Sequence, residues 1–200
     1  MSDSHGEERA GEERANEIGQ LFPVVGIGAS AGGLEAFTQL LAHLSVDTGM
    51  AFVLIQHLAP NQKSLLSEIL TRKTQMPVTE VRDNMALEPN SIYVIAPNTK
   101  MILSEGVLHL SPREKIQGKH MPVDAFFSSL AAERKSQAIA VVLSGTDGDG
   151  ALGLEEVKAA GGITFAQCEA TAEFQGTEHG GGNGASRFYS ASPGDRRRAN

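Results

Sequence analysis

The alternation of polar and apolar positions changes rhythm at residue 21. Residues 1–20 carry GEERA twice in succession, at 6–10 and 11–15, and offer no apolar face to bury, which predicts an acidic, disordered tail. From Leu21 onward, short apolar runs alternate with amphipathic stretches: VVGIG, EAFTQLLAHL, AFVLIQH and SLLSEILTRK. That order reads as β-α-β-α, the signature of a parallel sheet with helices packed on its faces. A middle stretch holds PVTEV, SIYVIAP and GVLHLS between turn residues and reads as short strands forming an antiparallel edge or hairpin. Beyond it, HMPVDAFFSSLAAERK reads as a helix, AIAVVLSG as a buried strand, GALGLEEVKAAGG as a helix closed by glycines and ITFAQ as a further strand. The expected fold is α/β over residues 21–176: a doubly wound, mostly parallel sheet with helices on both faces and a short antiparallel edge or hairpin.

The final 24 residues, 177–200, break this pattern with TEHGGGNGASRFYSASPGDRRRAN. Rich in Gly, Ser and Arg, they read as an irregular tail. A second reading is a change of reading frame after Gly176. Permitted codons for NGASRFYSASPGD, read one nucleotide later, give TAPVDFILPPREI, a strand followed by a helix start. On that reading the domain is truncated or frame-shifted at its C-terminus.

Composition narrows the function class. A hydrophobic fraction of 40% in 200 residues suits one globular domain with unpacked ends. The net charge of -7 and pI near 5.4 argue against a nucleic-acid partner, which calls for a concentrated basic face. A single cysteine, Cys168, excludes an internal disulfide and a Cys-rich metal site and fits a reducing compartment. The N-terminal residues have no signal-like apolar core, and no run reaches the roughly 18 apolar residues of a membrane span. The expectation is a soluble, cytoplasmic protein, not membrane-inserted, that uses no cofactor and no metal.

Chemistry concentrates in the turn VVGIGASAGG at 24–33. Gly26, Gly28 and Ala31 or Gly32 make a passable dinucleotide fingerprint, but that fingerprint expects an acid about 20 residues on, where the second strand ends in Gln56 and His57. No Gly-Lys-Ser/Thr follows, so a Walker-type phosphate loop fails. The same turn satisfies G-x-S-x-G with Gly28, Ser30 and Gly32. There a strand-to-helix turn lifts a serine hydroxyl above the sheet, and the helix N-terminus faces developing negative charge. The plainer alternative makes Ser30 a helix N-cap. His57 at a second strand end can take the serine proton, and Asp149 after AIAVVL can orient the imidazole. Against this, His57 reads equally as a surface loop histidine, and Asp147 and Asp149 as turn formers or a cation site.

GIGASAGGLEA, LIQHLAP, IYVIAP, HMPVDAFF, LSGTDGDGALGL and AAGGITFAQ together resemble, in order, segments of the CheB-type protein-glutamate methylesterase catalytic domain, over about Leu21 to Gly176. HMPVDAFF and LSGTDGDGALGL are most similar to the form fused to a CheR-type methyltransferase. The resemblance implies a serine carboxylic ester hydrolase of bacterial chemotaxis that removes methyl esters from glutamyl side chains of chemoreceptors and often deamidates receptor glutamines. It implies Ser30 as nucleophile, His57 as base and Asp149 as triad acid. It places Ala31 and Thr146 at the oxyanion and substrate rim, and His120 near the site in a structural or substrate-edge role. Methylated receptors, or a similar methylated signalling protein, and a CheR-type methyltransferase are the implied partners. Two other readings remain: an inactive remnant or scaffold with the same fold, and a nucleotide-binding module.

Overall fold

The computed structural model describes residues 22–29, 33–56, 66–113, 120–143, 148–167 and 188–190, the last three by their backbone. Six parallel strands build the main sheet: β1 (Val24–Ala29), β2 (Ala51–Gln56), β3 (Val78–Glu80), β5 (Ser91–Val94), β8 (Ala138–Val142) and β9 (Ile163–Gln167). An antiparallel strand, β10 (Phe188–Ser190), closes one edge, and the spatial order is β10-β9-β8-β1-β2-β5-β3. From β1 the chain builds outward through β2 to β5, then crosses back to lay β8 and β9 on the other side. The reversal of direction falls between β1 and β8, the place where sheets of this kind open a crevice at their carboxyl edge.

Side-chain alternation sends neighbouring residues of each strand into two separate cores. Val24, Val53, Ile55 and Tyr93 face α3 (Pro122–Arg134) through Val123, Phe126, Phe127 and Leu130. Val25, Ile27, Phe52, Leu54 and Ile92 face α1 (Gly33–His43) and α2 (Leu66–Thr71) through Phe37, Leu41, Leu66 and Leu70. Because β1 and β2 are buried at all six positions each, they carry continuous apolar runs rather than alternating ones. α4 (Ala151–Ala159) adds Val157 to the α3 side. Helices therefore cover both faces, as the sequence pattern predicts.

The middle stretch corrects one expectation. PVTEV and SIYVIAP supply β3 and β5, which are parallel strands of the main sheet; SIYV is buried at every position. The hairpin instead joins β6 (Thr99–Ser104) to β7 (Val107–Pro112) through Glu105 and Gly106, both at positive φ, and β4 (Met85–Ala86) pairs with β7. Two successive positive-φ residues make the tight turn whose twist suits a hairpin. This small sheet lies against α3: the Leu103 N–H donates to Ser129 Oγ at 3.0 Å and the Gly106 N–H to Glu133 Oε1 at 2.7 Å.

The stretch 177–200 also contributes to the main sheet. Its residues Phe188–Ser190 pair with β9, Phe188 opposite Gln167 and Ser190 opposite Phe165. The reason is the bare edge of β9, whose unpaired backbone groups accept a strand-prone segment such as FYS. Residues 1–21 and the rest of 177–200 lie outside the described residues.

At the base of α3, Arg134 is buried at 4% exposure, with its guanidinium 5.5 Å above the Phe22 ring and 3.6 Å from Glu133 Oε1. Burial lowers its pKa from the ordinary arginine value, against the pull of Glu133. Among the described residues no helix is long and apolar enough to cross a membrane.

Candidate active site

The two glycines that open the G-x-S-x-G turn answer to packing before chemistry. A Cβ on Gly26 would stand 2.9 Å from Phe127 and 3.0 Å from Phe126, and one on Gly28 only 2.4 Å from Val123 Cγ1. Their missing side chains let α3 press directly on β1. Gly26 and Gly28 therefore face side chains of the core and not a space for pyrophosphate, which removes the basis of a dinucleotide-binding reading.

At the carboxyl edge, β1 lies between β2 and β8, and the register sets Ala29 opposite Gln56 and Gly28 opposite Val142. Ser30 follows Ala29 in the chain, and His57 follows Gln56. Ser30, Ala31, His57, Thr146 and Asp147 all lie outside the described residues. Asp149 and His120 lie within them.

Asp149 stands after β8, immediately before the N-cap of α4, at 2% exposure. Its side chain reaches across to α3, a helix whose own N-cap residue, Met121, makes no side-chain cap bond. Oδ2 accepts the Val123 N–H at 3.0 Å and Oδ1 accepts the Asp124 N–H at 2.9 Å. A carboxylate at a helix N-terminus satisfies orphan donors and gains from the helix dipole. With about four acceptor sites on a carboxylate, two backbone N–H groups do not exhaust it. Asp149 is thus rigidly oriented at the switch point, with capacity to hold an imidazole N–H.

Asp124 returns the favour. From the first turn of α3, its Oδ1 accepts the Gly153 N–H at 2.8 Å in the first turn of α4. The Asp149 carboxylate, just before α4, caps α3, and Asp124 of α3 bonds back to the first turn of α4; the close approach depends on Gly153, where a Cβ would meet Phe127 Cβ at 2.4 Å. Asp124 escaped the sequence reading even though HMPVDAFF displayed it; its signal was an acid in the first turn after an N1 proline. His120, half-buried, precedes the same helix by two residues.

Burial pushes the Asp124 carboxyl above its ordinary pKa; the Gly153 hydrogen bond opposes the rise and the nearby Asp149 charge adds to it. A carboxyl whose pKa is higher folded than unfolded takes up protons on folding. Its stabilising contribution is fully present below the unfolded value of about 3.9 and is lost as pH rises through the folded value. Asp124→Asn keeps an acceptor for Gly153 but has no charge to bury. The melting temperature of the variant relative to wild type is therefore expected to be higher at pH 7 than at pH 4. An equal difference at both pH values would show that the carboxylate is not under this penalty.

No group of three or more His, Cys, Asp or Glu side chains suited to a metal occurs among the described residues. Comparison with known proteins matches a family model described as CheB methylesterase to residues 25–179. The chain belongs to the CheB methylesterase family. A protein of Burkholderia lata named protein-glutamate methylesterase/protein-glutamine glutaminase 2 is 37% identical over 155 residues, covering 76% of this chain and 45% of that protein. An uncharacterized 104.1 kDa protein of Rhodobacter capsulatus is 43% identical over 111 residues, covering 56% of this chain and 12% of its own length. The chain thus spans less than half the length of these curated relatives. The crystal structure of the Thermotoga maritima CheB methylesterase catalytic domain superposes with a TM-score of 0.63 at 28% identity, covering 72% of this chain and 78% of that one. The CheB fold accounts for the parallel sheet, the helices on both faces and the small antiparallel sheet.

Proposed function

We propose that the chain is the catalytic domain of a protein-glutamate methylesterase, with Ser30 as nucleophile, His57 as general base and Asp149 as the acid that orients His57. The observation that carries this reading is the meeting of three strand ends: Ala29 is paired with Gln56, β8 lies on the other side of β1, and Asp149 is fixed beside them. Family membership and the names of the relatives support the same chemistry.

In this mechanism Ser30 Oγ attacks the carbonyl carbon of a glutamyl methyl ester while His57 takes the hydroxyl proton. The tetrahedral oxyanion is held by backbone N–H groups, for which Ala31 and the segment reaching Thr146 are proposed donors. Collapse breaks the bond to the methoxy oxygen, His57 supplies the proton, and methanol leaves an acyl-serine. Water then gives its proton to His57, attacks the acyl carbon and releases glutamate with Ser30 regenerated. A glutamine side chain enters the same cycle with ammonia as leaving group, giving the deamidase activity that the relatives' names include. The proposed substrates are methylated chemoreceptors, with a CheR-type methyltransferase supplying the ester, in the cytoplasm; His120 is placed at the substrate edge. Residues 21–176 form the catalytic unit in this proposal.

A serine-reactive fluorophosphonate tests the assignment. Wild type is expected to form one adduct, located at Ser30 by mass spectrometry, and Ser30→Ala and His57→Gln are expected to form none while remaining folded by circular dichroism. An adduct that persists in Ser30→Ala, or a folded wild type that forms none, overturns the proposed triad.

A further inference from the structure

The open end of the β6–β7 hairpin is tied down where the main sheet ends. The Arg113 N–H, one residue past β7, donates to the Asn98 carbonyl at 3.0 Å, just before β6. This places Arg113 at a small, partly open pocket that it shares with Gln56, Ile95, Pro97, Asn98 and Pro122. Two of those walls adjoin the proposed triad directly. Gln56 is the residue before His57, and Pro122 precedes Val123 and Asp124, whose N–H groups hold Asp149.

Arg113 brings a permanent positive charge to this position in a chain of net charge -7. Its Nε is buried and makes no hydrogen bond. A buried donor left unbonded costs about 1–3 kcal/mol, so its presence calls for an explanation beyond packing. Arg134, whose guanidinium nitrogens likewise make no hydrogen bond, lies at the base of α3 against Phe22 and 3.6 Å from Glu133. Arg113 differs because it lines a partly open pocket at the strand ends. A planar guanidinium recognises carboxylate through two parallel N–H···O bonds, a fit that ammonium or neutral donors do not reproduce.

We infer that the Arg113 pocket is a subsite for a carboxylate on the protein segment that carries the ester, a second point of recognition beside the reacting group. This rests on the methylesterase reading. Its chemistry is consistent with that reading, because a glutamyl side chain that is not esterified is itself a carboxylate. An acidic peptide would then be positioned by one ionised glutamate in the Arg113 pocket while a neighbouring ester meets Ser30. The contact exists before and during reaction alike, so it governs binding more than turnover.

The test uses two synthetic peptides, each with one glutamyl methyl ester, flanked by glutamates in one and by glutamines in the other. Wild type, Arg113→Gln and Arg113→Lys are compared by methanol release. Loss of a charge-assisted bidentate contact is expected to raise KM of Arg113→Gln for the acidic peptide by about 10- to 100-fold, with kcat within about twofold. Arg113→Lys, which keeps the charge and loses the fork, is expected to fall between the two. The glutamine-flanked peptide is expected to be hydrolysed alike by all three proteins. Equal losses on both peptides, a loss confined to kcat, or no change overturns the subsite. If wild type hydrolyses neither ester, the methylesterase reading fails separately. The subsite is then decided by fluorescence anisotropy with the unesterified acidic peptide: weaker binding to Arg113→Gln upholds it, and equal or absent binding overturns it. Because Arg113 makes no ion pair or side-chain hydrogen bond among the described residues, both variants are expected to melt within a few degrees of wild type.

Discussion

Asp149→Asn is expected to lower kcat for methyl ester hydrolysis by roughly 10⁴, the scale on which a triad fails when its imidazole is left in the wrong tautomer. The structure also assigns Asp149 a second job, since its two oxygens cap α3 through the N–H groups of Val123 and Asp124. The amide retains one acceptor oxygen but turns an NH2 toward the other backbone donor. One buried N–H then loses its partner, at about 1–3 kcal/mol. The two roles separate in measurement. Assays well below the melting temperature, with the folded fraction fixed by circular dichroism, read the catalytic loss alone; thermal melts read the capping loss. A variant that melts earlier yet turns over within about tenfold of wild type would leave Asp149 as a cap and remove it from the triad.

Gly28→Ala carries the second large effect, on stability. The added methyl would lie 2.4 Å from Val123 Cγ1 and 3.1 Å from Cγ2, so α3 or β1 must move. Overpacking of this kind costs typically about 1–3 kcal/mol, a large part of the roughly 5–15 kcal/mol that holds a domain folded. The displacement also reaches the site, because the N–H of the same Val123 is bonded to Asp149. Combining the change with Val123→Ala, which removes both clashing methyl groups, is expected to recover part of the lost stability. A double-mutant cycle of chemical denaturation curves measures the coupling. Additive losses would show that Gly28 is small for a reason other than its contact with α3.

These two residues also show why similar sequence features carry different information. G-x-S-x-G and the dinucleotide fingerprint overlap in GIGASAGG, and spacing alone cannot choose between them. The choice is made by α3, which arrives from about a hundred residues away and fills the space above Gly26 and Gly28. Asp149 was legible as a polar residue after an apolar strand run, and the strand-end rule pointed to it directly. Its bonds to α3 were not legible, because a hydrogen bond between residues 26 apart leaves no local pattern.

The apolar periodicity by itself determined the α/β class, the first two strands with their helices, and the late α3-β8-α4-β9 series, since continuous buried runs and helical spacing are local properties of the chain. Together with the resemblance, it also named Ser30, His57 and Asp149. Only the tertiary structure decided how the middle and the end are used. SIYV became an inner parallel strand because both of its faces are covered, TKMILS became half of a hairpin because VLHLSP folds back on it, and FYS found the bare edge of β9. The same holds for the hydrogen bonds that Asp149 and Asp124 make between the starts of α3 and α4 and for the placing of Arg113 beside the strand ends. In each case the deciding contact joins segments distant in sequence, and burial and pairing across that distance are set by the packed whole rather than by the residues nearby.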